Sequence, residues 1–222
     1  MKKALLFGAT GFIGSHLLQD LLNNSDYEQV IIVVRKPIPT KHPKLKVLIG
    51  DYQSLPKLKS ELVADEIFIA LGTTTKNTPD RKKYYEIDHD YPVAAAKIAK
   101  ENGAKSVFIV TAVGANENSN FFYIRTKGEV ERDIKALGFK HTHIFEPSMI
   151  LGQREEFRAL EKTLISFWGG INLILAGPLD KYKGIDGKDI ARAMIKSAQF
   201  QKEKIKTYRW KEMSSFLLRK DP

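Results

Sequence analysis

Three glycines stand at intervals of three near the start of the chain, Gly8, Gly11 and Gly14. They lie between a short apolar run and a segment with helical spacing, where glycine permits a tight turn and lets backbone amides approach a pyrophosphate. A purely structural turn would also explain the bare pattern, but its position favours nucleotide binding. The predicted cofactor contacts of this loop are Gly8, Thr10, Gly11, Phe12, Ile13 and Gly14.

Arg35 and Lys36 follow a second apolar run, 21 residues beyond Gly14. An acidic side chain at this place would bind the adenosine ribose of NAD, whereas a guanidinium can bind the 2′-phosphate of NADP with two hydrogen bonds. The adjacent ammonium adds favourable charge. The two cations therefore predict a preference for NADP(H), and an exposed basic loop is the alternative.

Two further strand ends carry small or polar residues. Asp51 follows a third apolar run and could meet the adenine edge, while Leu71, Gly72 and Thr73 follow a fourth, where glycine lets a cofactor pass close to the backbone. Open α/β sheets bind ligands at the carboxyl ends of their strands. A turn aspartate and a polar loop are the alternative interpretations.

Tyr123 and Lys127 are four residues apart, a spacing that places a phenol and an ammonium on one helical face. A cation lowers the pKa of a phenol from about 10 and so makes tyrosine a usable acid or base near neutrality. Thr111 ends a fifth apolar run with a hydroxyl that could orient a substrate carbonyl. About one such tyrosine–lysine pair is expected by chance, so a packed tyrosine with a solvated lysine is the alternative.

These residues need a sheet to bring them together. Six short apolar runs predict strands buried on both faces of a parallel sheet, at residues 4–7, 30–34, 46–49, 67–71, 107–110 and 142–145. Apolar residues at three- and four-residue spacing predict helices over 12–22, 81–102 and 121–137, with a kink or restart at Pro92. The alternation predicts a doubly wound α/β domain with strand order 3-2-1-4-5-6.

The chain of 222 residues is too short for two large independent domains. Residues 1–147 are predicted to form the dinucleotide-binding core. Residues 148–222 are predicted to form a short substrate-side annex of the same domain, with helices near 155–167 and 190–200 and a seventh strand near Tyr208.

The composition excludes several classes of site. The chain has no cysteine, which excludes disulfides, thiolate metal sites and cysteine nucleophiles, and which is typical of the reducing cytoplasm, the predicted location. The net charge of +10 comes without a nucleic-acid-binding motif. Glycines interrupt the apolar start that resembles a signal peptide, and no run of 18 apolar residues follows. The histidine spacing predicts no metal site.

The same residues resemble an atypical short-chain dehydrogenase/reductase of the NAD(P)-dependent epimerase/dehydratase type. The segments that are similar to its Tat-interacting-protein-like oxidoreductases are 71–75 (LGTTT), 88–91 (DHDY), 97–100 (KIAK) and above all 119–131 (SNFFYIRTKGEVE). The resemblance implies a Rossmann fold that binds NADPH and a reduced C-terminal region. It also implies catalytic roles for Thr111, Tyr123 and Lys127, with Lys127 holding the nicotinamide ribose and Pro147 contacting the nicotinamide end.

Two departures from that pattern bear on the substrate. Thr111 followed by Ala112 replaces the usual serine, and the annex is much shorter than in sugar-nucleotide epimerases. The favoured function is NADP(H)-dependent oxidoreduction of a small carbonyl or alcohol, with Tyr123 as acid and base. The alternatives are an NADP(H)-sensing protein that reports to a protein partner with little turnover, and a sugar-nucleotide epimerase or dehydratase.

Overall fold

A computed structural model describes residues 1–152 and 177–218 of the chain. Within these residues, seven parallel strands form one sheet and two short strands form another. The strands are β1 (Lys2–Phe7), β2 (Tyr27–Val34), β3 (Leu45–Ile49), β4 (Glu66–Ile69), β5 (Ser106–Val110), β6 (His141–Phe145), β7 (Ile150–Leu151), β8 (Ile185–Asp186) and β9 (Ile205–Tyr208). The large sheet has the order β3-β2-β1-β4-β5-β6-β9, which confirms the predicted order and the predicted seventh strand.

Helices cover both faces of the sheet. Those in the described ranges are, in chain order, α1 (Phe12–Asn23), α2 (Leu55–Leu58), α3 (Arg81–Tyr85), α4 (Tyr91–Glu101), α5 (Phe122–Ala136), α6 (Gly187–Gln199) and α7 (Trp210–Leu217). The helix predicted over 81–102 consists of α3, a π-helical segment Glu86–Asp90 and α4. Pro92 lies in the first turn of α4, where a missing amide hydrogen costs little. The helix predicted at 155–167 lies outside the described residues.

The core has two layers because neighbouring strand residues point to opposite faces. On β1, Leu6 packs with Leu17 of α1 and Met194 of α6, while Leu5 belongs to the cluster that includes Ala95 of α4 and Ile134 of α5. Strands buried on both faces explain why the apolar runs are nearly continuous instead of alternating. The doubly wound α/β class is thereby confirmed.

Strand β9 adds the C-terminal part of the chain to this sheet, parallel to β6. At the amino edge, Glu66 is buried and accepts hydrogen bonds from Tyr27 Oη (2.5 Å), Lys2 Nζ (2.8 Å) and Gln201 Nε2 (2.6 Å). These contacts fix the segment between α6 and β9 to the end of the sheet opposite the glycine loop. The division of the domain at residue 147 stays a prediction.

A buried histidine on β6 links stability to pH. The ring of His143 stacks between Phe108 and Tyr208, and its Nδ1 lies 2.8 Å from the Tyr208 hydroxyl. Burial lowers the pKa of His143 from 6.5 to about 4, because a charged ring would lose its hydration there. The folded protein therefore keeps this ring neutral at pH values where the unfolded chain binds a proton.

We expect this histidine to contribute stability that is complete above pH 6.5 and is lost as the pH falls through about 4. At about 1.4 kcal/mol per pKa unit, the loss is roughly 3 kcal/mol. Denaturant unfolding of the wild type and of His143→Phe between pH 4 and 7.5 measures it, since the stability difference between the two proteins must change by that amount. Parallel stability curves would show that His143 carries no such linkage.

Candidate functional site

The three glycines of the loop between β1 and α1 differ in how much room a side chain would have. Gly8 has φ +87°, and a Cβ there would lie 2.5 Å from the Ala70 carbonyl oxygen; a Cβ at Gly14 would overlap the Gly8 carbonyl. A Cβ at Gly11 would lie 3.2 Å from the Gly8 oxygen, a close contact that requires the loop backbone to shift by a few tenths of an ångström. The packing of the chain thus excludes a side chain at Gly8 and Gly14, and constrains Gly11 less.

The start of α1 is also suited to an anion. Gly11 is its N-cap residue, and among the described residues no side chain caps the helix. Free amides at a helix N-terminus carry partial positive charge and bind phosphate groups. A 12-residue helix that begins at a glycine loop and has no side-chain cap from the described residues is the arrangement expected of a pyrophosphate site.

A cavity of about 380 Å³ connects this loop to the end of β2. Its lining residues are Thr10, Val34, Arg35, Lys36, Pro37 and Ile38. The cavity is formed because β1 and β2 are neighbours in the sheet, so the segments that follow them adjoin at the carboxyl edge. Its volume lies in the range of small-molecule pockets, and its two cations suit a phosphate group.

After the end of β3, Asp51 forms hydrogen bonds within its own turn. Asp51 is exposed, and its Oδ1 accepts from the Ser54 amide (3.0 Å), a bond that lowers the pKa of Asp51. The Asp51 amide donates to Ser54 Oγ (2.7 Å). The Tyr91 hydroxyl interacts electrostatically with both Asp51 and Arg35, and burial raises the pKa of Tyr91 to about 12. Tyr52 packs against Tyr91, with ring centroids 5.9 Å apart. Neither tyrosine is among the predicted site residues, although Tyr52 is adjacent to the predicted Asp51.

A buried ion pair lies beside Gly72. Lys127, 6% exposed, places its Nζ 2.6 Å from Oδ1 of Asp88, which is 1% exposed. The other oxygen, Oδ2, accepts from the Thr73 amide at 2.8 Å. A Cβ at Gly72 would lie 3.7 Å from Asp88 Oδ1 and 3.8 Å from Lys127 Nζ. The structure therefore brings Gly72, Thr73 and Lys127 together around a carboxylate that was not among the predicted site residues.

Tyr123 lies in the first turn of α5, one turn before Lys127, with 42% of its side chain exposed. Burial of the hydroxyl raises its pKa above the ordinary value of 10; Lys127 opposes this rise and Asp88 adds to it. The expected lowering of the Tyr123 pKa is therefore wrong for this structure. Its phenol is protonated at neutral pH, the form that donates a proton.

The Thr111 hydroxyl points to a second acidic residue. Thr111 Oγ1 donates to Oε1 of Glu131 on α5 at 2.7 Å, and both residues are buried. Burial raises the pKa of Glu131, while the bond from Thr111 lowers it. Lys135 lies 3.2 Å from the other oxygen of Glu131. The Thr111 proton is thus engaged by Glu131 in this structure, a contact that no local pattern predicts.

The remaining predicted residues have different neighbours. The Pro147 carbonyl accepts from the Val113 amide at 2.9 Å, which joins the segments after β5 and β6. Leu71 is partly buried against one core layer, and Ile13 packs in the other. A Cβ at Gly187 would lie 2.5 Å from the Phe12 ring, so that ring contacts the start of α6. The Ile13 and Phe12 side chains therefore help to position the glycine loop.

Neither a metal site nor a membrane span is found in the described part of the chain. Among residues 1–152 and 177–218, no three histidine, aspartate or glutamate side chains are grouped closely enough to hold a metal ion. No helix within the same two ranges is both long enough and apolar enough to cross a bilayer.

Residues 8–167 match the family described as NAD(P)H-binding. The chain is also similar to two fungal proteins along most of its length. It is 36% identical to the mitochondrial protein fmp52 of Aspergillus niger over 202 residues, which are 88% of this chain and 86% of that protein. It is 33% identical to the mitochondrial protein FMP52 of Candida albicans over 201 residues, 87% of this chain and 86% of that protein.

The mitochondrial names of these relatives contradict the predicted cytoplasmic location, which is corrected here. The prediction was based on the lack of cysteine. A chain without cysteine forms no disulfide in any compartment, so the lack of cysteine does not distinguish one compartment from another.

Solved structures share the fold at low sequence identity. The Bordetella bronchiseptica enzyme WbmH in complex with NAD+ matches with a TM-score of 0.68 and 17% identity, over 94% of this chain and 75% of that chain. The UDP-N-acetylglucosamine 4-epimerase of Methanobrevibacter ruminantium in complex with UDP-N-acetylmuramic acid matches with a TM-score of 0.69 and 20% identity, over 94% and 76%. At these identities the similarity is one of fold.

Proposed function

The chain belongs to the NAD(P)H-binding family, and we propose that it is an NADP(H)-dependent oxidoreductase acting on a small carbonyl or alcohol, with Tyr123 as the acid and base. One observation carries the proposal. The open glycine loop, the cavity with two cations and the Tyr123–Lys127 pair all follow strands of one parallel sheet at its carboxyl edge. Ligands of such sheets bind along that edge.

The residues present fit the dinucleotide from end to end. The glycine loop at the start of α1 suits the pyrophosphate, and the 380 Å³ cavity with Arg35 and Lys36 suits a 2′-phosphate. Gly72 leaves room next to Lys127, the residue proposed to hold the nicotinamide ribose. A bound NADPH supplies the hydride in a reduction.

A side chain of the protein would donate the proton. The carbonyl carbon gains a hydride, its oxygen gains the proton of the Tyr123 phenol, and the product is the alcohol. A proton from solvent then restores the phenol. The raised pKa of Tyr123 keeps the donor protonated at neutral pH.

Arg35→Asp is expected to weaken NADPH binding about 10- to 150-fold and to change NADH binding little. A charged two-point contact contributes roughly 1.5–3 kcal/mol, and only NADPH carries the phosphate that makes it. Calorimetric titration of the wild type and the variant with both cofactors measures the effect.

The matched control is Lys41→Asp. It reverses an exposed charge in the basic stretch from Arg35 to Lys46, but Lys41 does not line the cavity. It should leave the preference for NADPH unchanged. Equal affinity of the wild type for NADPH and NADH would exclude the assignment of Arg35 to the 2′-phosphate.

One observation favours the sensor as a second candidate function. The Thr111 hydroxyl donates to Glu131, so its proton is not available to orient a substrate carbonyl, the role expected of Thr111 from the sequence. A dinucleotide site with a weakened reaction centre would still bind NADPH and report its presence to a partner. Sugar-nucleotide epimerisation is not proposed, because the similarity to epimerases is limited to the fold.

A further inference from the structure

Asp88 is part of an unusual backbone segment. It lies in the π-helical segment Glu86–Asp90, between α3 and α4. Such segments interrupt α-helices at a cost and occur frequently at functional sites. This one places a buried carboxylate at the end of β4, next to the loop that contains Gly72 and Thr73.

The contacts of Asp88 constrain Lys127. Oδ1 lies 2.6 Å from the Lys127 ammonium, and Oδ2 is held by the Thr73 amide. Both members of the pair are buried, and in such surroundings removing one charge leaves the other at a large cost. The ammonium is therefore fixed in place, and its charge is balanced at short range.

Three titratable groups interact with the Tyr123 hydroxyl from the elements packed around it. Lys127 is on the same helix, Asp88 comes from the π-helical segment, and Tyr84 comes from α3. The Tyr84 hydroxyl donates to the Thr73 carbonyl at 3.4 Å, and burial raises the pKa of Tyr84. An ammonium alone would favour the Tyr123 phenolate, and a carboxylate paired with that ammonium cancels most of this effect.

We propose that Asp88 is a positioning residue that fixes the Lys127 ammonium beside Gly72 and balances its charge, so that Tyr123 remains the proton donor a carbonyl reduction requires. The inference rests on the proposed reductase function. It assigns Asp88 to setting the pH range in which the phenol can act, while Tyr123 alone gives up the proton.

The test is the ionisation of Tyr123 in the unliganded protein, followed by the ¹³C resonance of its ring carbon Cζ between pH 7 and 12. Tyr123→Phe identifies the resonance. Asp88→Asn, which keeps the shape and removes the charge, should lower the pKa of Tyr123 by about one unit or more, since an unbalanced neighbouring charge shifts a pKa by about 1–3 units. The control Asp90→Asn changes a carboxylate on the same segment that contacts His89, and it should leave the pKa of Tyr123 unchanged.

A double variant keeps the test valid if Asp88→Asn fails to fold. Asp88→Asn combined with Lys127→Met removes both charges, and such neutral replacements of buried pairs are generally tolerated. The pKa of Tyr123 should then return to within about half a unit of the wild type, because a balanced pair and no pair act alike. An unchanged pKa in Asp88→Asn, or a double variant more than one unit from the wild type, overturns the inference.

Failure of the proposed function gives a different result. A wild type that binds no NADPH in calorimetry removes the reductase, while the titration of the unliganded protein still decides the role of Asp88. With a substrate in hand, the rate of reduction falls as the pH rises through the pKa of Tyr123, so in Asp88→Asn this fall should move to lower pH by the same shift. A purely structural role would lower the rate at every pH without moving the fall.

Discussion

Tyr123→Phe is expected to reduce the turnover of a carbonyl substrate about 10²–10⁴-fold while leaving the affinity for NADPH within a few fold of the wild type. The variant loses only the proton that the substrate oxygen must receive. The proposed phosphate and ribose contacts lie elsewhere, at Gly11, Arg35 and Lys127. Steady-state NADPH oxidation with a series of aldehydes and ketones, together with calorimetry, separates the two effects.

The matched control is Tyr27→Phe, which removes a hydroxyl at the opposite edge of the sheet, where it bonds to Glu66. It should lower stability and leave turnover per folded molecule unchanged. A substrate turned over equally well by the wild type and by Tyr123→Phe would show that Tyr123 is not the acid. A wild type without turnover, whose NADPH-dependent partner binding survives Tyr123→Phe, would favour the sensor.

Gly11→Val is expected to abolish measurable NADPH binding in a protein that still folds. The backbone at Gly11 is extended, with φ −80° and ψ 172°, which valine adopts readily, and the atom nearest to an added Cβ is the Gly8 oxygen at 3.2 Å. The added methyl groups would occupy the space through which a pyrophosphate reaches the first amides of α1. Calorimetry measures the binding, and circular dichroism with thermal unfolding checks the fold.

Gly14→Ala provides the contrast, because its Cβ would overlap the Gly8 carbonyl and should therefore destabilise the fold itself. Gly11→Ala should fold and lose less affinity than Gly11→Val, as expected if the size of the side chain is what excludes the ligand. A folded Gly11→Val protein with undiminished NADPH affinity would remove the glycine loop from the binding site.

The order of the sheet was predictable because its signals are local and repeated. Apolar runs such as Val30–Ile32 are continuous since both faces of β2 are buried, and alternation with helices restricts the crossovers to one hand. The same local logic placed Gly11 and Arg35 at one edge of the sheet. The location in the cell was not predictable in this way, because the absence of cysteine is not a targeting signal.

The sequence by itself determined the strands of the large sheet, their order and most of the side chains that reach the carboxyl edge, because each depends on residue types a few positions apart. The short elements α2, α7, β7 and β8 were not predicted. Only the tertiary structure decided the chemical states of the side chains. Asp88 meets Lys127, and Thr111 meets Glu131, across 39 and 20 residues of chain. The charge on a buried group depends on the side chains that contact it. Such contacts result from the packing of helices, and they cannot be recognised from the spacing of residues in the sequence.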